Sequence, residues 1–69
     1  MPEISRFYGI VITMYFSDHN PPHFHARYGD DKAEYDIQTL ALLAGKLPKR
    51  THFLVIEWAI EYREELLRN

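Results

Sequence analysis

Three of the chain's four histidines fall within seven residues, at His19, His23 and His25, with Asp18 beside the first. Imidazole titrates near neutrality, and in its neutral form it is a ligand for zinc, copper, nickel or iron. His23 and His25 stand two apart in an alternating segment, so on a strand their rings project to one side. A bend at Pro21 and Pro22 would return His19 to meet them. Three protein ligands plus a solvent position is the open arrangement of a catalytic zinc site, which makes His19, His23 and His25 the candidate ligands of a divalent transition metal such as zinc. Asp18 and His52 are the candidates for a fourth position.

Two further chemistries fit the same residues. The spacing matches no diagnostic metal signature, and the chain has no Cys to supply the usual ligands of a small structural zinc site. His23, His25 and Arg27 then read as a polar sheet face paired with acids on the next strand. Alternatively, two imidazoles shuttle protons without a metal, while Arg27 or Arg6 holds a phosphate as in a ribonuclease. The catalytic candidates are His23, His25, Arg27 and Asp36, and RNA becomes a possible partner, with Arg6, Arg27, Lys49 and Arg50 as basic contributors. The sequence contains no Gly-rich phosphate loop, Ser/His/Asp nucleophile pattern or paired-carboxylate motif.

The elements that must position these groups follow from periodicity. Residues 7–16 (FYGIVITMYF) are β-branched and aromatic and read as one strand, with Tyr8, Ile10, Ile12, Met14 and Phe16 on its core face. Gly9 within it marks a bulge, a close approach or a packing gap. Residues 17–22 (SDHNPP) form a stiff connection, because each residue before a proline is pushed to extended angles. His23–Tyr28 and residues 32–37 both alternate, and Gly29-Asp30-Asp31 between them signals a hairpin turn. With Asp30-Asp31 at the tip, Tyr28 opposes Ala33, Arg27 opposes Glu34, Ala26 opposes Tyr35, and His25 opposes Asp36. That register matches apolar with apolar and base with acid, and it places the Asp36 carboxylate to orient the His25 ring.

Residues 40–44 (LALLA) fit a buried strand, or a short helix capped by Thr39 and ended by Gly45. Pro48 suits the first turn of a helix that continues to about Arg68. On it Leu54, Val55, Trp58, Ala59, Tyr62 and Leu66 form one apolar stripe, and Phe53, Ile56, Ile60 and Leu67 form a second beside it. Glu57, Glu61, Glu64 and Glu65 mark a solvated side, and Arg68 follows Glu64 at the spacing of a supporting pair. The expected fold is α+β: a small antiparallel sheet of three to four strands with one long C-terminal helix packed on one face.

Size and charge bound the function. At 69 residues and 8.2 kDa the chain reads as a single domain, residues 1–69, too small to be held by its own core without help. With no Cys for disulfides, that help is a metal, self-association or a protein partner. A net charge of −2 disfavours broad duplex DNA binding. The start lacks the basic residues and apolar run of a signal peptide, and no apolar stretch approaches the ~20 residues of a membrane span. A cytoplasmic protein without a membrane role is expected.

Residues 7–12 (FYGIVI), the 18–25 block (DHNPPHFH), Leu47-Pro48, and the helix carrying Glu57-Trp58 and Arg63-Glu64-Glu65-Leu66 resemble the small bacterial family of domain of unknown function 4160, DUF4160. The resemblance spans nearly the whole chain, and the His/Pro block is its most specific part. It implies a genomic setting rather than a chemistry, since genes of the family often lie beside another small protein in arrangements like toxin–antitoxin pairs. Two departures stand out. Members tend to have Thr-Gly where this chain has Thr39-Leu40, and they usually run on past the helix, so a tail used for a partner could be missing after Asn69. The leading expectation is one component of such a pair, acting through a protein complex with the His19, His23 and His25 face as its active or binding surface. The alternatives are a metal-dependent hydrolase or nuclease using the same histidines, and a non-catalytic binding module.

Overall fold

A computed structural model describes residues 3–14 and 21–68. Among these residues five strands, β1 (Glu3–Phe7), β2 (Ile10–Thr13), β3 (His23–Tyr28), β4 (Asp31–Asp36) and β5 (Leu42–Gly45), precede a single helix, α1 (Lys49–Arg68). The strands form one antiparallel sheet in the order β1-β2-β3-β4-β5. The α+β class and the C-terminal helix agree with the sequence reading; the sheet has five strands rather than three or four.

The extra strand comes from the run read as one. Phe7 pairs with Ile10, so Tyr8 and Gly9 are the whole loop of a hairpin. Both have positive φ, 50° and 80°, as the tightest hairpin turns of the primed type require. An aromatic residue in that region carries a Cβ penalty of roughly 1–2 kcal/mol, which is why composition alone argues against a turn there. Tyr8 is therefore at a loop tip and 80% exposed, not in the core. Ile10, Ile12 and Met14 are buried as expected, while Phe16 lies outside the described residues.

The hairpin of β3 and β4 exists, but its register differs. Gly29 and Asp30 form the loop, with Gly29 at φ 60° in the first central position, and Tyr28 pairs with Asp31. The turn falls one residue earlier than Asp30-Asp31, which slides the pairing by two. A slip of two keeps every side chain on its face and changes only its partner. Ala26 now opposes Ala33, Phe24 opposes Tyr35, Arg27 opposes Lys32, His25 opposes Glu34, and His23 opposes Asp36.

Residues 40–44 contribute strand β5, yet it is an exposed edge rather than a buried strand. The connection into it is built by Asp36, whose Oδ1 accepts from the backbone N–H of Gln38 at 2.7 Å and of Thr39 at 2.9 Å. Leu40 has φ 63° and still packs against the core.

One face of the sheet is covered by α1. The Pro48 carbonyl accepts the first helical bond from His52 N at 2.8 Å, which places the proline just ahead of the helix. Val55, Ala59 and Leu66 are buried against Ile10, Ile12, Phe24, Tyr35 and Ile37. Phe24 stacks on Tyr35 at 5.5 Å and meets Trp58 edge-on at 5.5 Å, and Phe7 stacks on Trp58 at 6.0 Å. Each fully buried ring of this kind stabilises the fold by about 2–3 kcal/mol. The Tyr35 hydroxyl lies 2.8 Å from His52 Nδ1, tying the C-terminal end of β4 to the first turn of the helix. The second apolar stripe divides: Ile56 is partly buried against the core, while Phe53, Ile60 and Leu67 are 52%, 60% and 44% exposed, and Tyr62 of the first stripe is exposed as well.

Candidate functional site on the helix-free face of the sheet

Alternation that buries Ile12, Phe24, Ala26 and Tyr35 beneath α1 must turn Val11, Thr13, His25, Arg27, Lys32 and Glu34 to the opposite face. There they line a hollow of about 450 Å³ to which every strand contributes, from Glu3 on β1 to Ala44 on β5. Among the described residues the helix leaves this face uncovered, and polar side chains from β1 to β4 gather there around a concavity.

At one side of the hollow stand His23, His25 and Glu34. One nitrogen or oxygen donor atom from each lies within 4.8 Å of the other two. The rings of His23 and His25 are 5.3 Å apart, and His23 Nε2 is 3.7 Å from Glu34 Oε1. His23 Nδ1 is 2.9 Å from the carbonyl oxygen of Pro21. A carbonyl only accepts, so Nδ1 carries the proton and donates it, and in the neutral ring Nε2 keeps its lone pair toward Glu34. The Pro21 carbonyl thus fixes which nitrogen of His23 carries the proton in the neutral ring.

Arg27 and Lys32 lie directly opposite each other on the same face and both line the hollow. Two like charges in that position repel, at a cost of a few tenths to about 1 kcal/mol, and create an environment that favours an anion. Glu3 across the sheet offsets part of this charge. Its carboxyl is held below the ordinary range chiefly by the hydrogen bond from Arg6, with lesser charge effects of Arg6 and Arg27 and a counteracting effect of burial. Arg6 is committed to Glu3 through contacts of 2.8 and 3.0 Å. Lys49 and Arg50 border a separate shallow depression beside Phe53 on α1. Of the four basic residues considered for RNA, Arg27 alone lines this hollow, joined there by Lys32.

The candidates of the sequence reading are therefore divided. His23, His25 and Arg27 share the open face. His19 and Asp18 lie outside the described residues. Asp36 does not oppose His25: it opposes His23, and its carboxylate caps the turn into β5. His52 is bonded to Tyr35 on the helix-bearing side and does not join the cluster. Glu34, assigned in sequence to Arg27, is the residue that takes the place expected for Asp36 opposite His25. The signal that finds it is Gly29, because glycine at the first central position of a two-residue loop selects the register that sets Glu34 against His25.

The family model described as "Domain of unknown function (DUF4160)" matches residues 9–69. No curated protein and no solved structure matches the chain.

Proposed function

We infer that this chain, which belongs to the DUF4160 family, is a bacterial cytoplasmic protein that works inside a toxin–antitoxin-like pair. Its partner docks on the outward side of α1, and the helix-free sheet face is the working surface. The observation that carries this reading is the stripe of Phe53, Ile60 and Leu67, exposed on the side of the helix away from the core. Three large apolar residues at intervals of seven share one helical face, a pattern suited to meeting another apolar surface rather than water. Glu57, Glu61 and Glu64 run along one flank of it, so a partner with an apolar ridge and a basic flank is complementary. The family's paired gene arrangement supports the neighbouring gene product as that partner.

Sedimentation of the purified chain, alone and mixed with the neighbouring gene product, tests the reading. A one-to-one complex that Ile60→Glu abolishes is expected; a chain that sediments alone in both cases removes the partner claim.

A second reading, hydrolysis of phosphodiesters at the open face, is favoured by Arg27 and Lys32 flanking His25 in the hollow. Imidazole chemistry beside two fixed cations suits an anionic substrate. Cleavage of RNA or a generic phosphodiester that His25→Ala eliminates is expected under it, and equal residual cleavage by the variant would rule it out.

A further inference from the structure

We propose that His23, His25 and Glu34 are the protein ligands of a divalent first-row transition metal, held at the edge of the open-face hollow with at least one coordination position facing Arg27 and Lys32. This deepens the reading of the open face as the working surface and is independent of what docks on α1.

The donor spacing fits a bound ion. A tetrahedral site with metal–ligand bonds of about 2.1 Å separates its donors by roughly 3.4 Å. His23 Nε2 and Glu34 Oε1 already stand 3.7 Å apart, and all three donors fall within 4.8 Å, so rotations of side chains on a fixed backbone close the remaining distance. The backbone is well fixed: β3 and β4 pair continuously from His23–Asp36 to Tyr28–Asp31.

The His23 ring is preorganised. A ligating imidazole characteristically donates its other N–H to a carbonyl or carboxylate, which sets tautomer and ring angle. Pro21 O does this for His23, so the lone pair is directed at the cluster before any ion arrives. The carboxylate comes from the neighbouring strand and brings the charge that two neutral imidazoles lack.

The donor set selects the ion. Two nitrogens and one carboxylate oxygen suit zinc, iron, cobalt or nickel, whereas magnesium and calcium prefer oxygen ligands throughout. Among the described residues three protein groups serve as ligands, and an anionic ligand at a further position is one that Arg27 and Lys32 would help to hold. Bound there, the ion would lower the pKa of a coordinated water or polarise an ester oxygen.

The competing explanation of the same geometry is an ion pair, a protonated His23 beside Glu34. Calorimetric titration of the untagged, chelator-treated full chain with zinc chloride, repeated with cobalt chloride and read by visible absorption, separates the two. One equivalent is expected to bind, undisturbed by excess magnesium. Glu34→Gln and His25→Gln should each weaken binding at least about 10-fold, with unchanged circular dichroism, whereas His52→Gln should leave it intact. Affinity no tighter than about 1 mM, or binding that survives both substitutions, overturns the proposal. Binding lost in His19→Ala but retained in Glu34→Gln overturns it too, because the ligand set would then be a different one. Phosphodiester cleavage is scored separately, so a chain that binds zinc without cleaving keeps the metal site and discards the hydrolytic reading.

Discussion

His23 Nε2 stands 3.7 Å from Glu34 Oε1 although the two residues are diagonal neighbours, His23 opposing Asp36 and Glu34 opposing His25. One carboxylate therefore serves two imidazoles on adjacent positions of a face, a donor set that suits a metal ion. The Glu34 side chain is 40% exposed, so solvent screens the pair and its contribution to folding is small. Glu34→Gln is expected to lower stability by no more than about 1 kcal/mol in urea unfolding. A loss above ~3 kcal/mol would mark Glu34 as a structural residue rather than part of a site.

Asp36 has the reverse profile. Its buried carboxylate accepts two backbone N–H groups that no strand pairing satisfies. Asp36→Ala should cost about 1–3 kcal/mol, with Asp36→Asn recovering part through its amide oxygen, and neither should change metal affinity. An Asp36→Ala protein of wild-type stability with impaired metal binding would return Asp36 to the role of orienting a histidine.

Burial of Tyr35 raises its phenol above the ordinary value of 10.0. The folded state thus holds this proton more tightly than the unfolded chain does. The stability it contributes is whole below pH ~10 and is lost as pH rises through the raised folded-state value. Tyr35→Phe removes the 2.8 Å contact to His52 and should cost about 1 kcal/mol at neutral pH. It should also flatten the decline in stability above pH ~10, which urea midpoints measured from neutral to alkaline pH would reveal. An unchanged alkaline decline in Tyr35→Phe would show that the buried phenol is not its source.

Gly45 and Gly29 both have positive φ but differ in surroundings. A Cβ on Gly45 would collide with the Lys32 carbonyl and press on Ala33 Cα, and φ is +76°; a Cβ on Gly29 would meet nothing within 4 Å. Gly29→Ala should therefore cost about 1–2 kcal/mol from backbone strain alone. Gly45→Ala should cost more than this and detach β5, seen as fast amide exchange at the partners Ala33 and Glu34. Equal thermal midpoints for the two variants would contradict the close approach of β4 and β5.

Most of the sheet's face assignment was legible in the sequence because it depends only on a period of two. Ile10, Ile12, Phe24, Ala26, Ala33, Tyr35 and Ile37 are all buried where alternation puts them. The helix from just after Pro48 to Arg68 and the Glu64–Arg68 pair, 3.7 Å apart, were legible for the same kind of reason. Turn positions were not, because they depend on single residues. Tyr8-Gly9 carries an aromatic where Asn or Asp would have announced the turn, and the choice between Gly29-Asp30 and Asp30-Asp31 rests on one glycine. That second choice left every face correct and exchanged Asp36 for Glu34 in the site.

Crystals of the chain grown with cobalt chloride, with diffraction recorded on both sides of the cobalt absorption edge, test most directly whether the open face holds a metal centre. One anomalous peak about 2 Å from a ring nitrogen of His23, a ring nitrogen of His25 and the Glu34 carboxylate is the predicted result. An empty cluster, or a strongest peak at His52 or among Glu57, Glu61 and Glu64, would contradict it.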